Sequence, residues 1–150
     1  MSDTRELILA RFEAVLQAVA AADSINVYRD RAALEDHELP AYVLLDGNEN
    51  TAIESTDKRF PIVMVLTPQV FYVPVPSPNA LNEGVGPRLS EHRVKLLKAI
   101  MGDGELANLC GSNGYLEYRG METDMQTGAE VKGQFKLDFA AAYVLNVNKL

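Results

Sequence analysis

Tryptophan is absent from these 150 residues, histidine occurs twice and cysteine once. With Cys110 alone, no intrachain disulfide can form and a cysteine-rich metal site is excluded, so a reducing compartment such as the cytoplasm is the expected setting. Positive charge is scarce as well: 14 Lys and Arg against 21 Asp and Glu leave a net charge of -7, with a pI near 4.8. Nucleic-acid binding by charge needs a surplus of Lys and Arg on one face, and only a local basic patch would supply it here. A run of about eighteen apolar residues is missing too. The opening Ser2-Asp3-Thr4-Arg5-Glu6 lacks the basic start and apolar stretch of a secretory signal. The expectation is a chain that neither spans a membrane nor is exported by that route.

What is present fits one domain over residues 1–150, with hydrophobic residues at 47% and charged residues at 23%, enough of each for a packed core and a wet surface. The strongest pattern runs from Gly133 to Val147. Phe135, Leu137, Phe139, Ala141, Tyr143, Leu145 and Val147 fall on alternate positions, with Gln134, Lys136, Asp138 and Asn146 between them. That two-residue period predicts a half-buried strand longer than the usual five or six or so residues. It reads as a central strand. Ala140, Ala142 and Val144 replace polar residues in its second half, which predicts cover on both faces there, by another element or by another copy of the protein.

Ile8, Phe12, Val15, Leu16 and Val19 recur at spacings of three and four, predicting an amphipathic helix capped by Asp3 and ending near Asp23-Ser24. Ile25–Arg29 reads as a short strand, Arg29–Glu38 as a charged irregular stretch, and Tyr42–Leu45 as an apolar strand ending at the turn signal Asp46-Gly47. Asn48–Lys58 reads as a polar, mobile connection. Pro61–Leu66 and Val70–Val73 are two strands, or one strand bent at Pro68. Pro74, Pro76, Pro78 and Pro87 make Val73–Arg88 a long loop, a length more often functional than idle. A second helix starts at Leu89 or Ser90, with Val94, Leu97, Ile100 and Met101 sharing a stripe and Gly102 ending it. Glu105–Cys110 is a brief third helix, Gly114–Arg119 a strand, and Met121–Lys132 a hairpin loop or short strand turning at Thr127-Gly128. The order implies an α+β domain: a mixed, mainly antiparallel sheet flanked by two main helices.

Candidate chemistry is thin. Asp46, Asn48, Asn50, Glu54 and Asp57 fit the spacing of a calcium loop, but Thr51 stands where the sharp turn needs glycine and Asp57 is short for the last ligand. A solvated acidic turn explains them. Cys110 with His92 suggests a thiol and a base without an orienting third group, and a core cysteine is the simpler reading. His37, in Glu35-Asp36-His37-Glu38, reads as part of a hydrated charged loop rather than a metal ligand. Gly102-Asp103-Gly104 and Gly111-Ser112-Asn113-Gly114 are turns, since neither follows a strand nor precedes a Lys-Ser or Lys-Thr pair. Arg29, Arg31, Lys58 and Arg59 interleave with Asp30, Glu35 and Asp57, so surface ion pairs account for them. No catalytic, cofactor or metal residue is assigned, and an enzyme is not expected.

Taken together, the helix Arg5–Ala22, the strand Ile25-Asn26-Val27-Tyr28-Arg29-Asp30-Arg31, the segment Leu39-Pro40-Ala41-Tyr42-Val43-Leu44-Leu45-Asp46-Gly47 and the closing strand Phe135–Val147 resemble the tail terminator proteins of long-tailed bacteriophages. The resemblance covers most of the chain through diffuse patterns rather than fixed catalytic residues. It implies a non-enzymatic virion protein of the tail and neck, assembled in the host cytoplasm. Such a protein forms a hexameric ring that caps the tail tube protein, ends tail elongation and meets the head-completion proteins. The family fold it implies is a mixed sheet flanked by helices. A head-completion or neck connector protein of the same joint is the alternative. The proline-rich 73–88 loop departs from shorter members. An acidic excess lining the channel would let genomic DNA pass without specific binding. Val75, Leu81 and Val85 of the loop are expected to become protected on assembly.

Overall fold

In a computed structural model of the chain, the described residues are 3–31, 33–51, 62–74, 85–126 and 132–145. Expectations for residues 52–61, 75–84, 127–131 and 146–147 lie outside them.

Helix α1 (Thr4–Ala22) begins where Asp3, in extended geometry, accepts a hydrogen bond from the Arg5 N–H at 3.1 Å, with Glu6 in the first turn facing the positive end of the helix. Its 3.6-residue period puts Ile8, Leu9, Phe12, Val15, Leu16 and Ala20 on one buried face. The helix stops at Asp23, and the Ile25 N–H bonds back to the Ala20 carbonyl at 3.0 Å. Strand β1 (Asn26–Arg29) then runs parallel to β2 (Ala41–Leu45), so the chain crosses over between them through a single 3-10 turn at Asp36–Glu38 and a cis Leu39-Pro40 bond.

Strand β7 (Lys132–Leu145) is the centre of the sheet, as its alternation implies. Along one edge it pairs antiparallel with β6 (Tyr115–Gln126), from Gln126 opposite Lys132 to Tyr115 opposite Ala142. Its other edge is shared. Strand β5 (Gln69–Val73) lies against Phe135–Asp138, and β4 (Ile62–Leu66) lies against Ala141–Leu145. The Phe139 N–H bonds to the Pro68 carbonyl at 3.1 Å, inside the gap. Pro68 has no N–H of its own for a ladder, so Thr67-Pro68 separates two strands laid end to end. The sheet forks from there: β2 and β1 continue beyond β5, and β3 (Glu49–Thr51) continues beyond β4.

Among the described residues the result is an α+β fold with a mixed, mostly antiparallel sheet of seven strands and three helices. Helices α2 (Val85–Met101) and α3 (Gly104–Cys110) join α1 on one face of the sheet. Phe135, Leu137, Phe139, Ala141 and Tyr143 point into that core, fully or almost fully buried, and Phe139 packs edge to face on Phe12 at 5.6 Å. On the opposite face Ala140 and Ala142 are also fully buried, and Val144 is half-buried.

Four expectations are corrected. Helix α2 starts at Val85, four residues before Leu89: Pro87 lies in the first turn, where its missing N–H has no helical acceptor to lose. Its buried line is Leu89, Leu96 and Ile100, while Val94 and Met101 face outward at 42% and 41% exposure, because the sheet lies under the former arc. Glu49–Thr51 is a strand, held by ladder bonds to Met64–Leu66 despite its polar side chains. The strand does not stop at Arg119: of the two readings of Met121–Lys132 the strand holds as far as Gln126, continuous with Tyr115–Arg119 as β6, since an edge strand tolerates polar residues on its wet side. Arg29 closes β1, as the strand reading Ile25–Arg29 has it.

Candidate assembly surface

The candidate residues weighed in the sequence are engaged in structural pairing where the structure describes them. Asp46, first of the calcium-loop residues, accepts two hydrogen bonds from Arg29, at 2.8 and 3.0 Å, and Arg29 also binds Glu6 at 2.7 and 2.9 Å. Arg5 pairs with Glu49 at 3.0 Å, and the Tyr143 hydroxyl donates to the same carboxylate. These bonds join α1, β1, β3 and β7 into one polar network. The Arg29 guanidinium holds the Glu6 and Asp46 carboxyls below their ordinary range, while burial and Glu49 push the Tyr143 phenol up. Asn48 is committed through its backbone, with its N–H on Thr67 Oγ1 at 3.2 Å and its carbonyl accepting from the Thr67 N–H at 3.0 Å. Asn50 sits in β3, and Glu54 and Asp57 lie outside the described residues.

His92 and Cys110 are not brought together. The His92 ring stacks on Tyr72 at 4.2 Å and its Nδ1 meets the Tyr42 hydroxyl at 2.8 Å, in a cleft of about 260 Å³ with Asp23, Glu91 and Lys95. Burial, and then Lys95, lower the His92 pKa. Cys110 is buried at the end of α3 beside a different cleft, of about 230 Å³, which shares no lining residue with the first. Burial raises its thiol pKa, the opposite of what a thiolate nucleophile needs.

Around His37, ligand atoms of Glu35, His37 and Glu38 lie within 4.8 Å of one another. The Arg31 guanidinium, however, reaches both Glu38 oxygens at 3.0 Å, occupying with its own charge the carboxylate a cation would need. Arg29 and Arg31 are thus both paired, as expected, while Lys58 and Arg59 lie outside the described residues. The two glycine segments are turns flanking α3. Asp103 caps that helix through a hydrogen bond from the Leu106 N–H at 3.0 Å.

Of the strand edges left open among the described residues, that of β6 is the longest. Among the described residues β6 pairs with β7 alone, so twelve residues of strand have an open outer edge. A bulge between Tyr118 and Gly120 twists the strand midway, with Gly120 at φ +136°. Tyr115 and Met121 are exposed along it, at 45% and 37%. Arg93 reaches over the Tyr118 ring at 5.7 Å, which fixes the flank of α2 that borders this strand. One turn on from Arg93 is Leu97, and Val94 and Met101 lie three and four residues either side of it, so an apolar line follows the strand edge. No local pattern marks it, because Val94 and Met101 match the core period as well as the residues that are buried.

No protein-family model matches the chain, and no curated protein does.

Proposed function

We propose that this chain is a structural subunit of a phage tail, the terminator that closes into a ring on the end of the tail tube, stops its growth and receives the head-completion proteins. The observation that carries the assembly half of this reading is the twelve-residue open edge of β6 bordered by Val94, Leu97 and Met101. An open strand edge of that length is an invitation to another strand unless something covers it. The phage half is supported by the likeness of the segments above to tail terminators and by agreement between the fold that likeness implies and the α+β architecture. A ring requires head-to-tail contacts that close by rotation, each copy offering two different surfaces. The subunit acts without chemistry, through shape and through a net charge of -7 that keeps DNA from adhering to the channel.

Electron microscopy of the purified protein tests the ring: annular particles with a central hole are expected. Mixing the protein with tail tubes and, separately, with filled heads tests the position. Capping of tubes supports the terminator, whereas binding to heads alone assigns the chain to the head-completion side of the joint.

A further inference from the structure

Among the described residues the sheet ends in β6 on one side and in β1 and β3 on the other, and the direction of each backbone group follows from the ladders already described. Phe139 turns its N–H toward Pro68, so Ala140 and Asp138 turn theirs toward β6. Their partners Glu117 and Gly120 therefore face inward, as does Glu122, and the outward groups of β6 belong to Leu116, Tyr118, Met121 and Thr123. On the far side, Asn26 and Asp30 donate to Pro40 and Leu44. The outward groups of β1 belong to Val27 and Arg29. Both sets have side chains on the helix-bearing face, so two copies can join these edges with their helices on the same side.

We infer that the β6 edge of one copy takes the β1 edge of the next, so that neighbouring sheets become continuous around the assembly. This rests on the ring reading for its head-to-tail sense, and it names the contact. Charge selects the pairing. Glu117 and Glu122 stand on the helix-free face at the β6 edge, each within 3.3 Å of a cation of its own subunit, Arg119 and Lys136, and each still more than half exposed at the side chain, open to a second cation. On the same face at the β1 edge lies Tyr28, with the Arg31 guanidinium 4.9 Å above its ring and Arg31 still 44% exposed. The other candidate edge, β3, is three residues long, and its Glu49 side chain turns to the helix-bearing face, where Arg5 and the Tyr143 hydroxyl hold it, so it offers no cation to Glu117 and Glu122. The apolar line of Val94, Leu97 and Met101 lies beside the joint and is covered as the next copy's α1 side arrives.

Charge exchange tests the contact. Glu117→Lys with Glu122→Lys makes a subunit with two positive edges, and Arg31→Glu makes one with two negative edges. Each variant alone is expected to need about tenfold higher concentration than the wild type to assemble, read by native mass spectrometry and analytical ultracentrifugation. An equimolar mixture recovers assembly, with the two variants alternating in equal numbers, and the triple variant assembles by itself. Because Arg31 also holds Glu38, Thr123→Pro provides a second probe: it removes one outward N–H and leaves the ladder to β7 intact. It should abolish assembly while the circular dichroism and melting temperature of the subunit hold. Rings that persist unchanged in Thr123→Pro, or folded charge variants whose mixture recovers nothing, overturn this contact and leave the ring itself standing. A wild-type protein that stays monomeric both alone and on tail tubes overturns both.

Discussion

Arg11 grips Asp103 across 92 residues of sequence, with Nε on one carboxylate oxygen at 2.9 Å and Nη2 on the other at 2.8 Å. The same carboxylate caps α3, so a single side chain both starts a short helix and ties it to α1. A helix of seven residues has little stability of its own and depends on such anchoring. Asp103→Ala should lower unfolding stability by about 1–2 kcal/mol in urea titrations, while Asp103→Asn, which can still cap, should lose less. Equal losses would show that the cap is not what matters.

Phe139 is fully buried between Phe12 and Tyr118, at 5.6 and 5.7 Å. Phe139→Ala is expected to cost about 3–5 kcal/mol, a large share of an ordinary domain's total, because the cavity lies where strand and helices cannot collapse onto it. Val94→Ala, on the outward line, should stay within about 0.5 kcal/mol as a monomer and show its effect only in assembly. Chemical denaturation of both variants at a concentration below assembly makes the comparison.

Two glycines should respond in opposite directions. Gly47 holds φ at +76°, and a Cβ there would lie 1.8 Å from the Thr67 carbonyl oxygen. Gly47→Ala is therefore expected to lose at least about 2 kcal/mol, through strain and through breakage of the Asn48–Thr67 pairing. Gly86, in the first turn of α2, has nothing within 4 Å of its would-be Cβ. Gly86→Ala should gain about 0.4–1 kcal/mol by restricting the unfolded chain. Thermal melts of the two variants side by side check both signs.

His92 makes stability depend on pH. Its folded pKa lies below the ordinary 6.5, chiefly through burial, so the unfolded chain takes up the extra proton first. The stabilisation present above pH 6.5 is lost as pH falls from there through the lowered value. His92→Gln keeps a hydrogen-bonding group near Tyr42 without titrating. It should flatten the stability profile over that window, and a profile identical to the wild type would remove His92 from the account.

Cys110 offers a simple check on its reading as a core cysteine. Buried, with its pKa raised, it should react with a thiol reagent about 100-fold more slowly in native buffer than in urea. Rapid labelling of the native protein would restore it as a candidate nucleophile.

The parts of the fold legible in the sequence were those in which one periodicity met one environment. Helix α1 buries one face, and β7 alternates buried and half-buried positions from Phe135 to Phe139, so the three-four spacing and the alternation marked them. Strand β3 carried no such mark: Glu-Asn-Thr is polar at every position and is a strand only because β4 lies beside it. In α2, Val94 and Met101 obey the helical period as faithfully as Leu89 and Leu96, and nothing local tells which arc the sheet will cover. The polar network escaped for a different reason. Arg5, Arg29, Asp46, Glu49 and Tyr143 span most of the chain, and only the forked sheet places them at one end. The assembly surface was least legible, because an open strand edge is a property of topology and no residue type encodes it.

The shared edge of β7 has a bearing on biosynthesis. Strands β4, β5 and β6 all emerge from the ribosome before the strand that binds them, so each must wait with its ladder groups unpaired while the nascent chain lengthens. A stall or a premature stop upstream of Lys132 would leave those three ribbons without their common partner, and chaperone capture of such fragments is the expected fate.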